Sequence, residues 1–145
     1  MPLQYTDALP DAAQYFRLFE TTGWNEKYGL TKEELSDTLR SSFYCISAYD
    51  GNALVGTGRI MSDGVLHAMI YEMIVHPDYQ GKGIGREIMH RLLQKCLDNN
   101  IRDIQLFCAK GKREFYEKMG FITRPDDGPG MEYRTGSVEA LKPLN

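Results

Sequence analysis

Between positions 84 and 97 the apolar residues Ile84, Ile88, Met89, Leu92, Leu93, Cys96 and Leu97 recur three and four apart. That period predicts an amphipathic helix with one buried stripe, stopped by Asn99-Asn100. Upstream, Ala12, Tyr15, Phe16 and Phe19 follow the same spacing and predict a first helix over 11–19, ended by the Thr-Thr-Gly at 21–23. Thr31 followed by Glu34 is a capping box, in which each side chain bonds the other residue's backbone N–H; it opens a second helix with Leu35 and Leu39 on one face. Positions 23–29 form the loop between these helices and hold the one tryptophan, Trp24.

In the middle of the chain the period shortens to that of strands. Positions 43–49 are rich in aromatic and branched residues, Asp50-Gly51-Asn52 is a turn signal, and 53–61 resumes as strand, so a hairpin is expected. Ser62-Asp63-Gly64 turns the chain into a third strand over 65–75, closed at His76-Pro77 because the residue before proline is pushed out of the α region. These three strands are expected in antiparallel succession. Beyond the long helix, 101–109 alternates Ile104, Leu106 and Cys108 against Asp103, Gln105 and Phe107. That predicts a strand parallel to the third and completes a βαβ crossover. A last helix over 112–119 ends at Gly120, suited to the left-handed position after a helix, and weaker strands are expected at 121–123 and 131–134. The fold class is a mixed α/β sheet, an antiparallel meander followed by a βαβ crossover, in one domain over 1–145.

Composition narrows the function classes. The 145 residues can bury a core without a disulfide or metal staple. With 17 Lys+Arg against 20 Asp+Glu, a formal charge of −3, the chain lacks the basic footprint of a nucleic-acid binder. Its three cysteines, Cys45, Cys96 and Cys108, are scattered with no C-x-x-C pair, so no metal site is expected; they read as packed thiols in a reducing compartment. The start lacks a basic segment followed by an apolar one, and no stretch approaches the roughly 20 apolar residues of a membrane span. The expectation is a cytoplasmic protein without membrane or nucleic-acid partners.

Chemistry concentrates in Gln80-Gly81-Lys82-Gly83-Ile84-Gly85, between a buried strand and the long helix. Glycines there let backbone N–H groups converge on an anion at a helix N-terminus, and Lys82 and Arg86 add positive charge. The spacing is neither a Walker A loop nor the dinucleotide G-x-G-x-x-G, which leaves a pyrophosphate carrying other chemistry. The run resembles the [QR]-x-x-G-x-[GA] acetyl-CoA signature of the GNAT N-acetyltransferase superfamily. Glu114-Phe115-Tyr116-Glu117-Lys118-Met119-Gly120-Phe121 is similar to that family's F-Y-x-x-x-G-F segment, in the family's order.

The resemblance implies acetyl-CoA as co-substrate, with splayed parallel strands. Gly81, Lys82, Gly83, Ile84, Gly85 and Arg86 would offer N–H groups to its pyrophosphate, and Met73, Ile74 and Val75 would pair through the main chain with its pantetheine arm. An N–H of Ile74 or its neighbour would polarise the thioester carbonyl. Tyr116 matches the tyrosine that protonates the departing thiolate, and a phenol is protonated at neutral pH as an acid must be. An amine of pKa about 10.4 is only about one part in 2,500 neutral at pH 7, equivalent to roughly 4.6 kcal/mol, so a proton acceptor is needed. Family members often carry a Glu, Asp or His on the strand before the glycine loop, where this chain has Tyr71 and Glu72. Alternation puts those two on opposite faces unless a bulge intervenes. Glu72 is the choice by chemistry, with ion pairing to Arg59 as its structural alternative and His67 as a second candidate base.

Trp24, Tyr28 and Tyr71 are the candidates to enclose the acceptor, and the Leu106-Phe107-Cys108 stretch and the Gly-Phe segment closing the last helix resemble those of arylalkylamine-type members. The reading is direct transfer of acetyl to a primary amine, of a small molecule rather than a protein lysine or N-terminus. The competing class is a non-catalytic acyl-CoA sensor or regulatory subunit. A homodimer formed through residues 134–145, with Val138 and Leu141, is a further expectation.

Overall fold

The computed structural model describes residues 2–133, which fall into two compact units: one ends at Cys108, and the next begins at Ala109. The first unit carries β1 (Gln4–Thr6), α1 (Ala12–Glu20), α2 (Asn25–Tyr28), α3 (Lys32–Arg40), β2 (Tyr44–Asp50), β3 (Ala53–Ser62), β4 (His67–Val75), a 3-10 turn (Pro77–Tyr79), α4 (Ile84–Asp98) and β5 (Asp103–Leu106). The second carries α5 (Arg113–Lys118). The five strands form one sheet in the order β1-β2-β3-β4-β5, antiparallel from β1 to β4 and parallel between β4 and β5. This is the expected meander followed by a βαβ crossover.

Local chemistry explains the boundaries. The capping box at the start of α3 is formed, with Thr31 Oγ1 accepting from Glu34 N at 3.1 Å and Glu34 Oε1 from Thr31 N at 3.0 Å. Residues 65 and 66, expected in the third strand, instead complete its turn: Asp63 Oδ1 accepts from the N–H groups of Val65, Leu66 and His67. Those bonds, led by the one from Val65, hold the Asp63 carboxyl below the ordinary carboxylate range. The strand expected over 101–109 contracts to four residues. The weak strands expected at 121–123 and 131–134 do not form within the described residues, which end before Arg134. The proposed dimer segment 134–145 lies outside the described residues. Cys45 and Cys96 are buried as expected, but Cys108 is exposed, past the end of β5 where the alternation has no sheet to face.

Cross-strand partners share a face, so β3 sorts the two layers. Thr57 and Arg59 face the side occupied by α1 and α3, where Tyr15, Leu18, Phe19, Leu35, Leu39, Cys45, Leu54 and Ile74 form a core cluster. Gly56 and Gly58 face the other side, and a Cβ on either would come within 2.9 Å of Ile88. Their missing side chains let α4 lie close on the sheet through Ile84, Ile88, Met89, Leu92 and Cys96, all at most 1% exposed. Leu97, assigned to the same stripe by periodicity, is 60% exposed.

Ser47 and Thr57 are register partners, and both hydroxyls are buried with no hydrogen-bond partner among the described residues. A buried hydroxyl without a partner costs about 1–3 kcal/mol, and valine reproduces threonine's shape without it. Thr57→Val is therefore expected to raise unfolding stability by about 1 kcal/mol in urea titration. A loss of similar size contradicts the reading.

Candidate active site

The first side of the site begins with what β4 lacks. Its parallel ladder with β5 covers four pairs, from His67↔Asp103 to Ile70↔Leu106. Beyond Ile70, residues 71–75 have β3 on one edge and no strand on the other among the described residues. His76 N donates to Val55 O at 2.8 Å, so the pairs 55/76 and, two residues along, 57/74 are the hydrogen-bonded ones. The N–H of Ile74 is therefore directed at β3, while Met73 and Val75 turn their main-chain groups to the open edge. Gln80 Nε2 donates to Val75 O at 3.1 Å, consistent with that outward orientation. The Ile74 side chain is core, at 2% exposure.

Past β4 the chain makes its 3-10 turn, pinned by Tyr79 Oη donating to Asp50 Oδ2 at 2.5 Å. Accepting this bond makes the Asp50 carboxylate the first cause of a raised Tyr79 pKa. His76 caps this turn by accepting from Asp78 N at 3.1 Å. Gly81 and Gly83 then take φ of 79° and 83°, and a Cβ built on either has nothing within 4 Å. Gly83 is the residue before α4, which has no side-chain cap. No backbone N–H from Gly81 to Arg86 bonds to another described residue, whereas Glu87 N already donates to Gly83 O at 3.1 Å. A run of unspent donors at the positive end of a 15-residue helix, with open space in front, suits an anionic phosphate group.

The second side of the site is built on a bulge. Thr57 pairs with Ile74 and Arg59 with Tyr71, so Gly58 faces two residues, Glu72 and Met73. Glu72 takes φ 44°, a left-handed conformation that costs a side-chain residue about 1–2 kcal/mol. Sequence alternation separates Tyr71 from Glu72; the bulge brings both to the α1 side. There they line an open cleft of about 760 Å³ with Phe19, Gly23, Trp24, Glu26, Lys27 and Tyr28. The predicted Trp24, Tyr28 and Tyr71 thus meet Glu72 in one cavity. Trp24 is 39% exposed and packs edge-on against Phe19, with centroids 5.9 Å apart, so it both anchors its loop and walls the cleft.

Asn25 fixes that loop from beneath. Its buried side chain donates Nδ2 to Leu30 O at 3.0 Å and accepts from Leu30 N at 2.8 Å. Sequence reading missed Asn25, along with Phe19, Glu26 and Lys27; an amide in a polar loop looks like any turn residue until its partner is known. The Glu72 carboxylate is ion-paired, accepting from Arg59 Nε at 3.0 Å and Nη2 at 3.4 Å. His67 is excluded from this centre: its Nδ1 lies 2.7 Å from Asp103 Oδ2 at the opposite end of β4, about 16 Å along an extended strand from Glu72. His90 is exposed on α4.

Tyr116 belongs to the second unit. It lies half-buried on α5, its ring edge-on to Phe115 at 5.1 Å and Phe121 at 6.1 Å, and Phe121 N donates to its carbonyl at 3.1 Å. Gly120 takes φ 100° just after the helix, as expected of a left-handed terminator.

The sequence profile of the acetyltransferase (GNAT) family matches residues 9–121, so the chain belongs to the GNAT acetyltransferase family, whose members are acetyl-CoA-dependent enzymes. An uncharacterized N-acetyltransferase ycf52 of Pyropia yezoensis is 37% identical over 119 residues, covering 79% of this chain and 67% of that protein. Two plant relatives aligned over 54% of this chain are named chloroplastic. In fold, the chain is similar to a probable acetyltransferase, SA2161, of methicillin-resistant Staphylococcus aureus (TM-score 0.78, 23% identity, covering 92% of this chain and 99% of that one). It is also similar to the PaiA N-acetyltransferase of Thermoplasma acidophilum solved with coenzyme A (TM-score 0.72, 18% identity, 88% and 94%). Among the described residues no helix is long and apolar enough to cross a membrane.

Gly83→Ala forces a Cβ into the left-handed region, so unfolding stability is expected to fall by about 1–2 kcal/mol. Acetyl-CoA affinity, read by calorimetric titration, falls with it as the loop relaxes. Unchanged affinity in the folded variant removes the loop from the donor site.

Proposed function

We propose that this chain transfers acetyl from acetyl-CoA to the primary amine of a small molecule, by direct attack in a ternary complex. The observation that carries this reading is the cleft in which Trp24, Tyr28, Tyr71 and Glu72 converge beside the open edge of β4. Aromatic walls enclose an apolar body, and a carboxylate at the floor takes the proton that the attacking amine must lose. Charges around the cleft balance: Glu26 and Glu72 against Lys27 and the Arg59 beneath, an arrangement with little pull on a polycationic protein tail. That balance supports a small molecule over a lysine-rich peptide.

The donor would be held by the N–H groups of Gly81, Lys82, Gly83, Ile84, Gly85 and Arg86 at its pyrophosphate, and by the open-edge groups of Met73 and Val75 along its pantetheine arm. A free N–H of Met73 or Val75, rather than that of Ile74, is then the donor available to a developing oxyanion. Tyr116 protonates the departing thiolate, and Glu72 accepts the proton from the amine. One acetyltransferase domain over 1–145 is part of the proposal, and a family match that runs through 9–121 supports it. Transfer of this kind needs no metal. We place the activity in the cytoplasm in the first instance, with the chloroplast as the counterpart suggested by the names of plant relatives.

Coenzyme A release is to be followed with 2-phenylethylamine, spermidine, glucosamine and a lysine peptide. The aryl amine is expected to turn over fastest; a preference for the lysine peptide replaces the small-molecule reading, and binding without turnover on any amine favours a sensor. Tyr116→Phe is expected to lower kcat by about 10²-fold with acetyl-CoA affinity held within about 2-fold, and an unaltered rate removes Tyr116 as the acid. Glu72→Gln is expected to lower kcat/KM for the amine by a similar factor of about 10², and parental activity passes the base to water or Tyr71.

A further inference from the structure

Arg59 lies under the acceptor cleft without lining it, its side chain 12% exposed. It is held from several elements at once. Nε and Nη2 donate to the two Glu72 oxygens at 3.0 and 3.4 Å; Nη1 donates to Ser42 Oγ at 3.2 Å and to Thr38 O at 3.5 Å, at the end of α3, and lies 3.0 Å from Met61 Sδ. The guanidinium carbon sits 5.6 Å from the centre of the Tyr71 ring. One side chain therefore contacts both residues that the bulge delivers to the cleft and ties them to α3.

We propose that Arg59 is a positioning residue for acetyl transfer, setting the acceptor end of the site by holding Glu72 and Tyr71 in register. This rests on the reading of Glu72 as proton acceptor. Glu72 stands in a left-handed conformation on an irregular stretch of strand, where no regular cross-strand pair fixes its side chain. A fork of two N–H groups fixes both the distance and the plane of a carboxylate, which a lysine's point charge cannot do. The other groups near this pair do not compete for the role. Tyr15, from α1, has its hydroxyl pushed up by burial and then by the Glu72 charge, and Cys45, from β2, is pushed up by burial. Both stay neutral and hold no carboxylate by charge. Lys27 and Glu26, from α2, line the cleft, but the carboxylate's ion pair is made with Arg59.

A double-mutant cycle over Arg59→Met and Glu72→Gln tests the claim, read as kcat/KM for the panel amine with the highest turnover and as KM for acetyl-CoA. Each single change is expected to lower amine kcat/KM by about 10- to 100-fold, and the double variant to sit within about 2-fold of Glu72→Gln alone, because Arg59 acts through Glu72. KM for acetyl-CoA stays within about 2-fold of the parent in all three. Arg59→Lys, which keeps charge without the fork, recovers part of the loss and serves in place of Arg59→Met should that variant not fold.

Effects that multiply in the double variant, or a KM for acetyl-CoA that rises in parallel, overturn the proposal and leave Arg59 a scaffold residue. Full activity of Glu72→Gln with a weakened Arg59→Met sinks the reading of Glu72 instead, and the proposal with it. Absence of turnover on every amine removes both.

Discussion

One extra residue in β4 organises the cleft of this protein. Gly58 on β3 faces two residues rather than one, and the phase of β4 changes at that point, so Tyr71 and Ile74, three residues apart, lie on the same side of the sheet. Without the bulge the cleft loses either Tyr71 or Glu72, and where it keeps Tyr71, Ile74 also leaves the core it shares with Tyr15 and Phe19. Gly58 makes the irregularity tolerable on the other face, since it has no Cβ to press on Ile88 and Leu92 of α4. The parallel ladder stops at Ile70, just before the bulge, and leaves the following main-chain groups an open edge.

The two halves of the site use different physics. At the proposed donor half the groups on offer are main-chain N–H groups, fixed by backbone dihedrals at two left-handed glycines and by the start of α4. A chain with net charge −3 can in this way present a local positive potential. At the proposed acceptor half the groups on offer are side chains: aromatic faces give area at little cost in rotamer entropy, and a charged pair is held partly out of water. Such a pair is costly to bury and gains from every further hydrogen bond, which is why the Ser42 hydroxyl and the Thr38 carbonyl at the end of α3 matter to it.

Much of this was legible in the sequence. Periodicity located α1, α3, α4 and the meander because each buries a regular stripe, and the glycine loop stood out because its spacing breaks every regular pattern. Features that depend on tertiary contact were not legible. The three-residue β1 has too few positions to show a period and exists through its pairing with β2. Four-residue α2 is held by the Asn25–Leu30 clasp rather than by propensity. Alternation through 101–109 overran β5, because a hydrophobic pattern continues where the partner strand does not. The side of the sheet taken by Glu72 depended on the bulge, which no local signal in residues 71–75 reveals; its ion pair with Arg59 was visible only as an alternative.

The central claim is that specific main-chain N–H groups bind the acetyl donor. Amide shift mapping of ¹⁵N-labelled protein on titration with coenzyme A reads those groups one by one. The account predicts large shifts at Gly81, Gly83, Gly85 and Arg86 and at Met73 and Val75, with the inward-facing amide of Ile74 moving much less. Perturbation confined to other parts of the chain, or an Ile74 amide that moves while Met73 and Val75 stay still, contradicts it.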